Sequence, residues 1–262
     1  TKALLRSSEI YDYFKESKGF GIEAQKVTFD FKKIIGRSRE VAKQLSVGID
    51  YLFKKNRVET LFGIAKIDKN KNLIVRSAKN KDEIVVLAKN IIIASGAKPK
   101  TLPFIKKFNE NIWSYFQALS PSGIPKSIGI IGSGAIGIEF ASFFNSMGSK
   151  VMVFEVLDRI LPSEDSDISK AIEASLSKKG IKFFKNTQVV DIQEKKSLVL
   201  KTNNIKNKEV LDQEYIFEKV LVAVGVEGNI SKLGLKHTNV QIENNHIKVN
   251  SFFNTNDDKI CA

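Results

Sequence analysis

The sequence has little of several residue types that catalysis and metal binding commonly draw on. Its 262 residues include one Cys, two His, five Pro and one Trp. One cysteine excludes an intrachain disulfide framework and any cysteine-rich zinc site, and it is the usage of a reducing compartment. Two histidines exclude a multi-histidine centre, so no metal is expected. No window offers the roughly 20 uninterrupted apolar residues that a membrane-spanning helix needs. The nearest, Ser127–Phe144, carries Glu139 and four glycines. No apolar signal-peptide region opens the chain, which begins at Thr1 without an initiator Met. Solenoid-type repeats are also missing.

What is present is an ordinary globular composition, 42% hydrophobic and 27% charged, with a net charge of +13. Such a basic excess raises the question of a nucleic-acid partner. Only six of the 42 basic residues are Arg, the favoured residue for bidentate phosphate and guanine contacts. The lysines are spread in ones and twos and interleaved with acids, with no aromatic-studded basic stripe. Neither a nucleic acid nor a membrane is expected as a partner.

Apolar spacing predicts a helix over 1–19 and a second from about Lys32 to Lys55. Strand periodicity follows at Val58–Ile67, Asn72–Ser77 and Glu83–Leu87, separated by polar turns at Asp68–Lys71 and Ala78–Asp82, which reads as an antiparallel meander. The run Asn90–Gly96 has the apolar character of a strand buried on both faces. Ala97–Pro125, which holds four of the five prolines, reads as a connection between domains. From Lys126 the order is strand (Ser127–Ile131), glycine turn, helix (Ala135–Ser146) and strand (Lys150–Glu155). A helix capped by Ser166 or Asp167 and ending at Gly180 comes next. Strand Ile181–Phe184, a hairpin of Val189–Gln193 and Ser197–Thr202, and a long strand Tyr215–Val224 complete the unit. The predicted class is α/β, a parallel sheet wrapped by helices with a hairpin excursion.

The motif that carries chemistry is Gly132-Ser133-Gly134-Ala135-Ile136-Gly137, directly after an apolar strand and opening a helix. In this pattern the first glycine makes the tight turn, the second lets a pyrophosphate approach the backbone, and the third lets the helix pack closely on the sheet. Free N–H groups and the positive end of the helix dipole then face the phosphates. Glu155 ends the next strand, 23 residues beyond Gly132. A carboxylate there accepts bonds from ribose hydroxyls and repels a 2′-phosphate, which favours NAD over NADP. Glu139 lies two residues beyond the motif on an otherwise apolar helix, where an acid must be exposed, capped or paired. It is either a helix-start acid favoured by the dipole or a group facing the reactive end of a cofactor. Cys261 reads as a packed small hydrophobe, and His237 and His246 as surface residues.

The stretches TKALLRSSEIY, IIIASGAKPKTLP, IWSYFQAL, IGIIGSGAIGIEFASFFNSMGSKVMVFEVLDRILPSEDSDI and VLVAVGVEGN together resemble the flavoprotein disulfide reductases, in particular the branch that oxidises dihydrolipoamide. GVEGN departs from the commoner G-R-x-P-N of that family. The resemblance implies a Rossmann-like NAD-binding domain plus part of an FAD-binding domain of the same type. Residues 1–96 would be the end of a first FAD segment, 97–125 the connection, 126–226 the NAD-binding domain, and 227–262 the start of the return to the FAD domain. It implies FAD and NAD as cofactors. NAD contacts would come from Gly132, Ser133, Gly134, Ala135, Ile136, Gly137, Ile138, Glu139, Glu155, Val189 and Gly225. FAD contacts would come from Lys2, Ala65, Ser95, Gly96 and Ala97. Lys2 and Glu139 would pair beside the flavin and nicotinamide as catalytic groups.

The implied partners are a lipoyl domain of a 2-oxoacid (pyruvate) dehydrogenase acyltransferase and a second copy in a homodimer. The implied compartment is the cytoplasm of a bacterium, or the mitochondrial matrix or plastid of a eukaryote. The family's redox Cys-x4-Cys would fall ahead of Thr1 and its His-Glu base beyond Ala262, so these 262 residues are expected to be an internal piece, inactive alone. Two alternatives stay open: another flavoprotein such as a mercuric reductase or soluble transhydrogenase, and a non-catalytic dinucleotide-binding module.

Overall fold

Apolar residues at helical spacing form α1 (Lys2–Glu16) and α2 (Phe31–Lys55) in the computed structural model, which describes residues 1–77, 82–206 and 214–262. Short strands follow: β1 (Gly63–Ile67), β2 (Leu73–Ser77), β3 (Glu83–Val86), β4 (Ile91–Ile92) and β5 (Ala97–Pro99). Strand and helix then alternate through β6 (Ile112–Trp113), α3 (Tyr115–Ala118), β7 (Ser127–Ile131), α4 (Ala135–Ser146), β8 (Lys150–Phe154), α5 (Ser166–Lys178) and β9 (Lys182–Phe184). Next come β10 (Thr187–Glu194), β11 (Leu198–Asn204), β12 (Glu214–Phe217) and β13 (Lys219–Val222). Four short strands close the chain: β14 (Val226–Gly228), β15 (Ile242–Glu243), β16 (His246–Ile247) and β17 (Ile260–Cys261). The expected turn at Ala78–Asp82 lies, apart from Asp82, outside the described residues.

The chain divides into two compact units. One comprises Thr1–Leu45 and Pro99–Gly225; the other comprises Ser46–Lys98 and Val226–Ala262. At the centre of the first is a parallel five-stranded sheet in the order β6-β13-β7-β8-β9. Its strands are apolar on both faces because both faces are covered. Ile128, Ile130, Val151, Val153 and Leu221 point into a core shared with Phe140, Phe143 and Phe144 of α4 and Leu4 of α1. Ile131, Phe154, Val220 and Val222 point the other way, onto the antiparallel sheet β10-β11-β12 through Leu198, Leu200, Tyr215 and Phe217. Helices cover one face and a three-stranded meander the other.

Four expectations change here. Ala97–Pro125 is not only a connection: Ile112–Trp113 is the edge strand beside β13, with both residues buried, and Ala118 is buried in the helical core. Residues 1–45 group with the parallel sheet, since Leu4 and its neighbours pack on α4. The single strand Tyr215–Val224 is two strands broken at Glu218: β12 pairs antiparallel with β11, and β13 parallel with β7. The Glu218 carboxylate accepts from the Lys126 N–H at 2.8 Å, which fixes the switch between sheets. The cap of α5 is Asp165, which accepts from the Asp167 N–H at 2.8 Å.

The second unit holds the antiparallel meander β1-β2-β3 and the parallel pair β4-β17 around Ile67, Ile91, Leu235 and Ile260. Ile92 is 77% exposed, against the expectation of a strand covered on both faces, because only Ile91 of the pair faces this small core.

Candidate functional site

β7 runs straight into the glycine turn, and the turn geometry assigns each glycine its reason. Gly132 has φ +98°, in the left-handed region, and a Cβ there would also press on the Ala223 carbonyl. A Cβ on Gly137 would strike the carbonyl of Gly132, so this position is glycine for close packing of helix on turn. Gly134 differs. It caps α4 with φ −67° and ψ 179°, a conformation open to any residue, and nothing lies within 4 Å of where its Cβ would be. The fold does not require glycine there, whereas a ligand approaching the backbone would. Ile138 N–H donates to the Gly134 carbonyl at 3.0 Å, and the N–H groups before it in the first turn have no intrahelical acceptor.

A cleft of about 710 Å³ opens over this turn. That size lies within the roughly 300–1,000 Å³ of small-ligand sites. Of the NAD contacts expected from sequence, Gly132–Ile136, Glu155, Val189 and Gly225 line it; Gly137, Ile138 and Glu139 do not. Leu102, Phe104, Pro162 and Gln188 also line it and were not foreseen. No motif marks them. The first two lie in the segment read as a connection, Pro162 in the loop before α5, and Gln188 in β10.

Glu155 sits at the end of β8, 6% exposed. Its backbone is fixed on both sides: its N–H donates to the Phe184 carbonyl, and its carbonyl accepts from the Thr187 N–H, each at 2.8 Å. One carboxylate oxygen, Oε2, accepts from the Ser133 N–H at 2.9 Å and the Ser133 hydroxyl at 2.6 Å. The other, Oε1, accepts from the Leu157 N–H at 2.9 Å. A carboxylate has about four acceptor sites, so roughly one remains for a sugar hydroxyl. Arg159, the nearest cation along the chain, donates to the Pro162 carbonyl at 2.8 Å. The open cradle at Gly134 and the carboxylate at the strand end fit a dinucleotide without a 2′-phosphate.

The expected catalytic pair is not assembled. α1 and α4 share a core, yet Lys2 is exposed and Glu139 is only half-buried. No ion pair joins Lys2 to Glu139 among the described residues. Between these helices the polar contacts run through Asp12, which accepts from the Ser146 hydroxyl at 2.6 Å, and through Lys15, which donates to the Ser146 carbonyl at 2.7 Å. The residues expected to contact FAD lie apart in the sequence. Ala65, Ser95 and Gly96 are exposed in the second unit, where Asn229 donates its backbone N–H to the Gly96 carbonyl and its amide to the Ser95 carbonyl. Ala97 is half-buried beside them. No second Gly-x-Gly-x-x-Gly is present in these 262 residues.

Comparison with known proteins bears on the whole chain. A family model described as pyridine nucleotide-disulphide oxidoreductase matches residues 1–262. A dihydrolipoyl dehydrogenase of Rhizobium etli is 38% identical over 98% of this chain and 56% of its own length. One from Zymomonas mobilis is 36% identical over 100% of this chain and 56% of its own. A third, from Acholeplasma laidlawii, is 34% identical over 98% of this chain and 73% of its own. The chain thus spans little more than half the length of the first two. Among solved structures, the HOCl-induced flavoprotein disulfide reductase RclA from Escherichia coli has a TM-score of 0.78 at 23% identity, covering 99% of this chain and 54% of that one. A Cu(II) complex of a mutant of it reaches 0.80 at 22%. These structures share the fold.

Proposed function

The chain belongs to the pyridine nucleotide-disulphide oxidoreductase family, and on that footing we propose that it is part of a flavoprotein that reoxidises protein-bound dihydrolipoamide with NAD. The overall change is dithiol plus NAD⁺ giving disulfide, NADH and a proton. FAD, when bound, supplies the electron relay between the thiols and the nicotinamide. This chain's own residues bind and orient the dinucleotide. Gly134 admits the pyrophosphate to the free N–H groups of α4, Glu155 takes a ribose hydroxyl, and Val189 and Gly225 wall the cleft. The observation that carries the reading is the buried Glu155 carboxylate held beside the glycine turn. The dihydrolipoyl dehydrogenases among its relatives favour dihydrolipoamide over Hg(II) or a second nucleotide as the substrate.

Lys2, Ala65, Ser95, Gly96 and Ala97 are proposed to meet flavin, and Ile138 and Glu139 the nicotinamide end of NAD. Lys2 and Glu139 would pair only in the assembled holoenzyme. The partner is proposed to be the lipoyl domain of a 2-oxoacid dehydrogenase acyltransferase, the working form a homodimer, and the compartment the bacterial cytoplasm. A steady-state assay of the full-length gene product tests this reading. NADH formation that depends on dihydrolipoamide supports it, whereas activity with Hg(II) alone, or transfer only between NADPH and NAD, overturns it.

A further inference from the structure

Ser133 lines the cleft beside the motif glycines, and its hydroxyl is bonded to Glu155. It is fully buried, at 0% exposure. All three of its polar groups are engaged within the chain. Its N–H and hydroxyl both donate to Oε2 of Glu155, at 2.9 and 2.6 Å. Its carbonyl accepts from the Leu161 N–H at 2.9 Å. Leu161 has φ +45° and is itself buried, and its carbonyl accepts from the Ser169 hydroxyl at 3.2 Å. One small residue therefore joins the turn after β7, the acid at the end of β8 and the loop that leads to α5.

We propose that Ser133 is a positioning residue for nucleotide choice: its hydroxyl fixes the Glu155 carboxylate in the rotamer that accepts from the adenosine ribose and excludes a 2′-phosphate. A glutamate has three side-chain torsions, and a hydrogen bond to an ionised carboxylate is among the stronger restraints available to hold them. The 2.6 Å bond comes from a side chain that is fully buried and whose residue is also bonded to the loop through its carbonyl. The Leu157 N–H restrains the other oxygen, at 2.9 Å. The two restraints together leave the carboxylate one free acceptor direction. In the Ser133→Ala variant the backbone N–H still donates, but Oε2 loses its shorter bond and the carboxylate gains rotational freedom.

The inference rests on the dinucleotide reading, and the test separates the two. NADH and NADPH affinities of the 262-residue chain are measured by saturation-transfer NMR, which detects weak binding. The proteins compared are wild type, S133A, E155Q and the S133A/E155Q double variant, each checked for folding by near-UV circular dichroism. The wild type is expected to prefer NADH. S133A is expected to lose about five- to tenfold in NADH affinity, the scale of one charge-assisted bond partly replaced, with NADPH affinity changed less than about twofold. On the E155Q background the same substitution should leave the NADH/NADPH ratio unmoved, because Ser133 acts through the carboxylate. An unchanged ratio in S133A, an equal loss for both nucleotides, or failure of S133A to fold overturns the positioning role while leaving the dinucleotide site standing. A wild-type chain that binds neither nucleotide overturns both.

Discussion

A Cβ on Gly137 would collide with the Gly132 carbonyl, whereas one on Gly134 would meet nothing within 4 Å. The two glycines of one motif therefore answer to different demands, and substitution separates them. Gly137→Ala should lower stability by about 1–3 kcal/mol, the cost of overpacking against rigid backbone. Gly134→Ala should leave stability within about 0.5 kcal/mol, since its φ and ψ suit alanine. It should nevertheless weaken NADH binding more than about tenfold, as its methyl group would stand where the backbone is otherwise free to meet a phosphate. Urea denaturation and NADH titration of both variants check the contrast; equal stability losses would refute it. Thr202 is the opposite kind of residue: 1% exposed, with a hydroxyl that has no hydrogen-bond partner among the described residues. Thr202→Val keeps the shape and removes the unsatisfied group, so it should raise stability by about 1 kcal/mol in the same denaturation assay. At this scale the motif was legible in the sequence because each glycine sits at a fixed offset from a strand and a helix. Thr202 was not, since a threonine in a strand pattern carries no sign of whether its hydroxyl finds a partner.

At the scale of elements, one buried carboxylate joins two segments of the second unit. Asp257, whose side chain is fully covered, accepts from Lys71 Nζ at 2.8 Å and from the Asn239 N–H at 3.1 Å. Lys71 stands in the turn between β1 and β2, so the contact links the meander to the loop before β17. The hydrogen bond from Lys71 holds the Asp257 carboxyl below the usual carboxylate range, against the opposing effect of burial and with help from the Asn239 and Lys259 N–H groups. A carboxyl whose folded pKa is depressed contributes stability above its unfolded value, and loses it as pH falls through the folded one. Stability should therefore decline on acidification below about pH 4, the ordinary aspartate range. Asp257→Asn should flatten that acid limb and lower the plateau at neutral pH. Urea midpoints at a series of pH values decide it: an unaltered acid limb in the variant would place the proton uptake elsewhere. Element identities were mostly readable, because the apolar period changes from 3.6 to 2 after Asn56 and alternating strand and helix patterns begin at Ser127. The break at Glu218 was not, because both halves of 215–224 are apolar. Only the pairing shows that one half belongs to the antiparallel sheet and the other to the parallel one. Long-range pairs such as Lys71 with Asp257 leave no local pattern at all.

For the whole molecule, every residue lining the cleft over the glycine turn belongs to the first unit. The first unit contains the complete cleft over the glycine turn, with its acid, its walls and its helix N-terminus. Dinucleotide binding therefore should not need residues outside it. The dithiol chemistry proposed for the family's reaction needs two cysteines that close a disulfide, and this sequence has one, Cys261, which donates weakly to the Asn254 side chain. With no second cysteine, no intrachain disulfide can accept electrons from dihydrolipoamide. The 262-residue chain should accordingly bind NADH yet show no NADH formation from NAD and dihydrolipoamide, even with added FAD. A flavin spectrum that persists through gel filtration, or measurable turnover from a preparation of verified mass, would overturn this prediction. Gly134→Ala supplies the internal control: it should weaken NADH binding more than about tenfold and leave the absence of turnover as it was. Binding without turnover, weakened by one methyl group at the turn, is the behaviour expected of a dinucleotide cleft lined by the first unit in a sequence with a single cysteine.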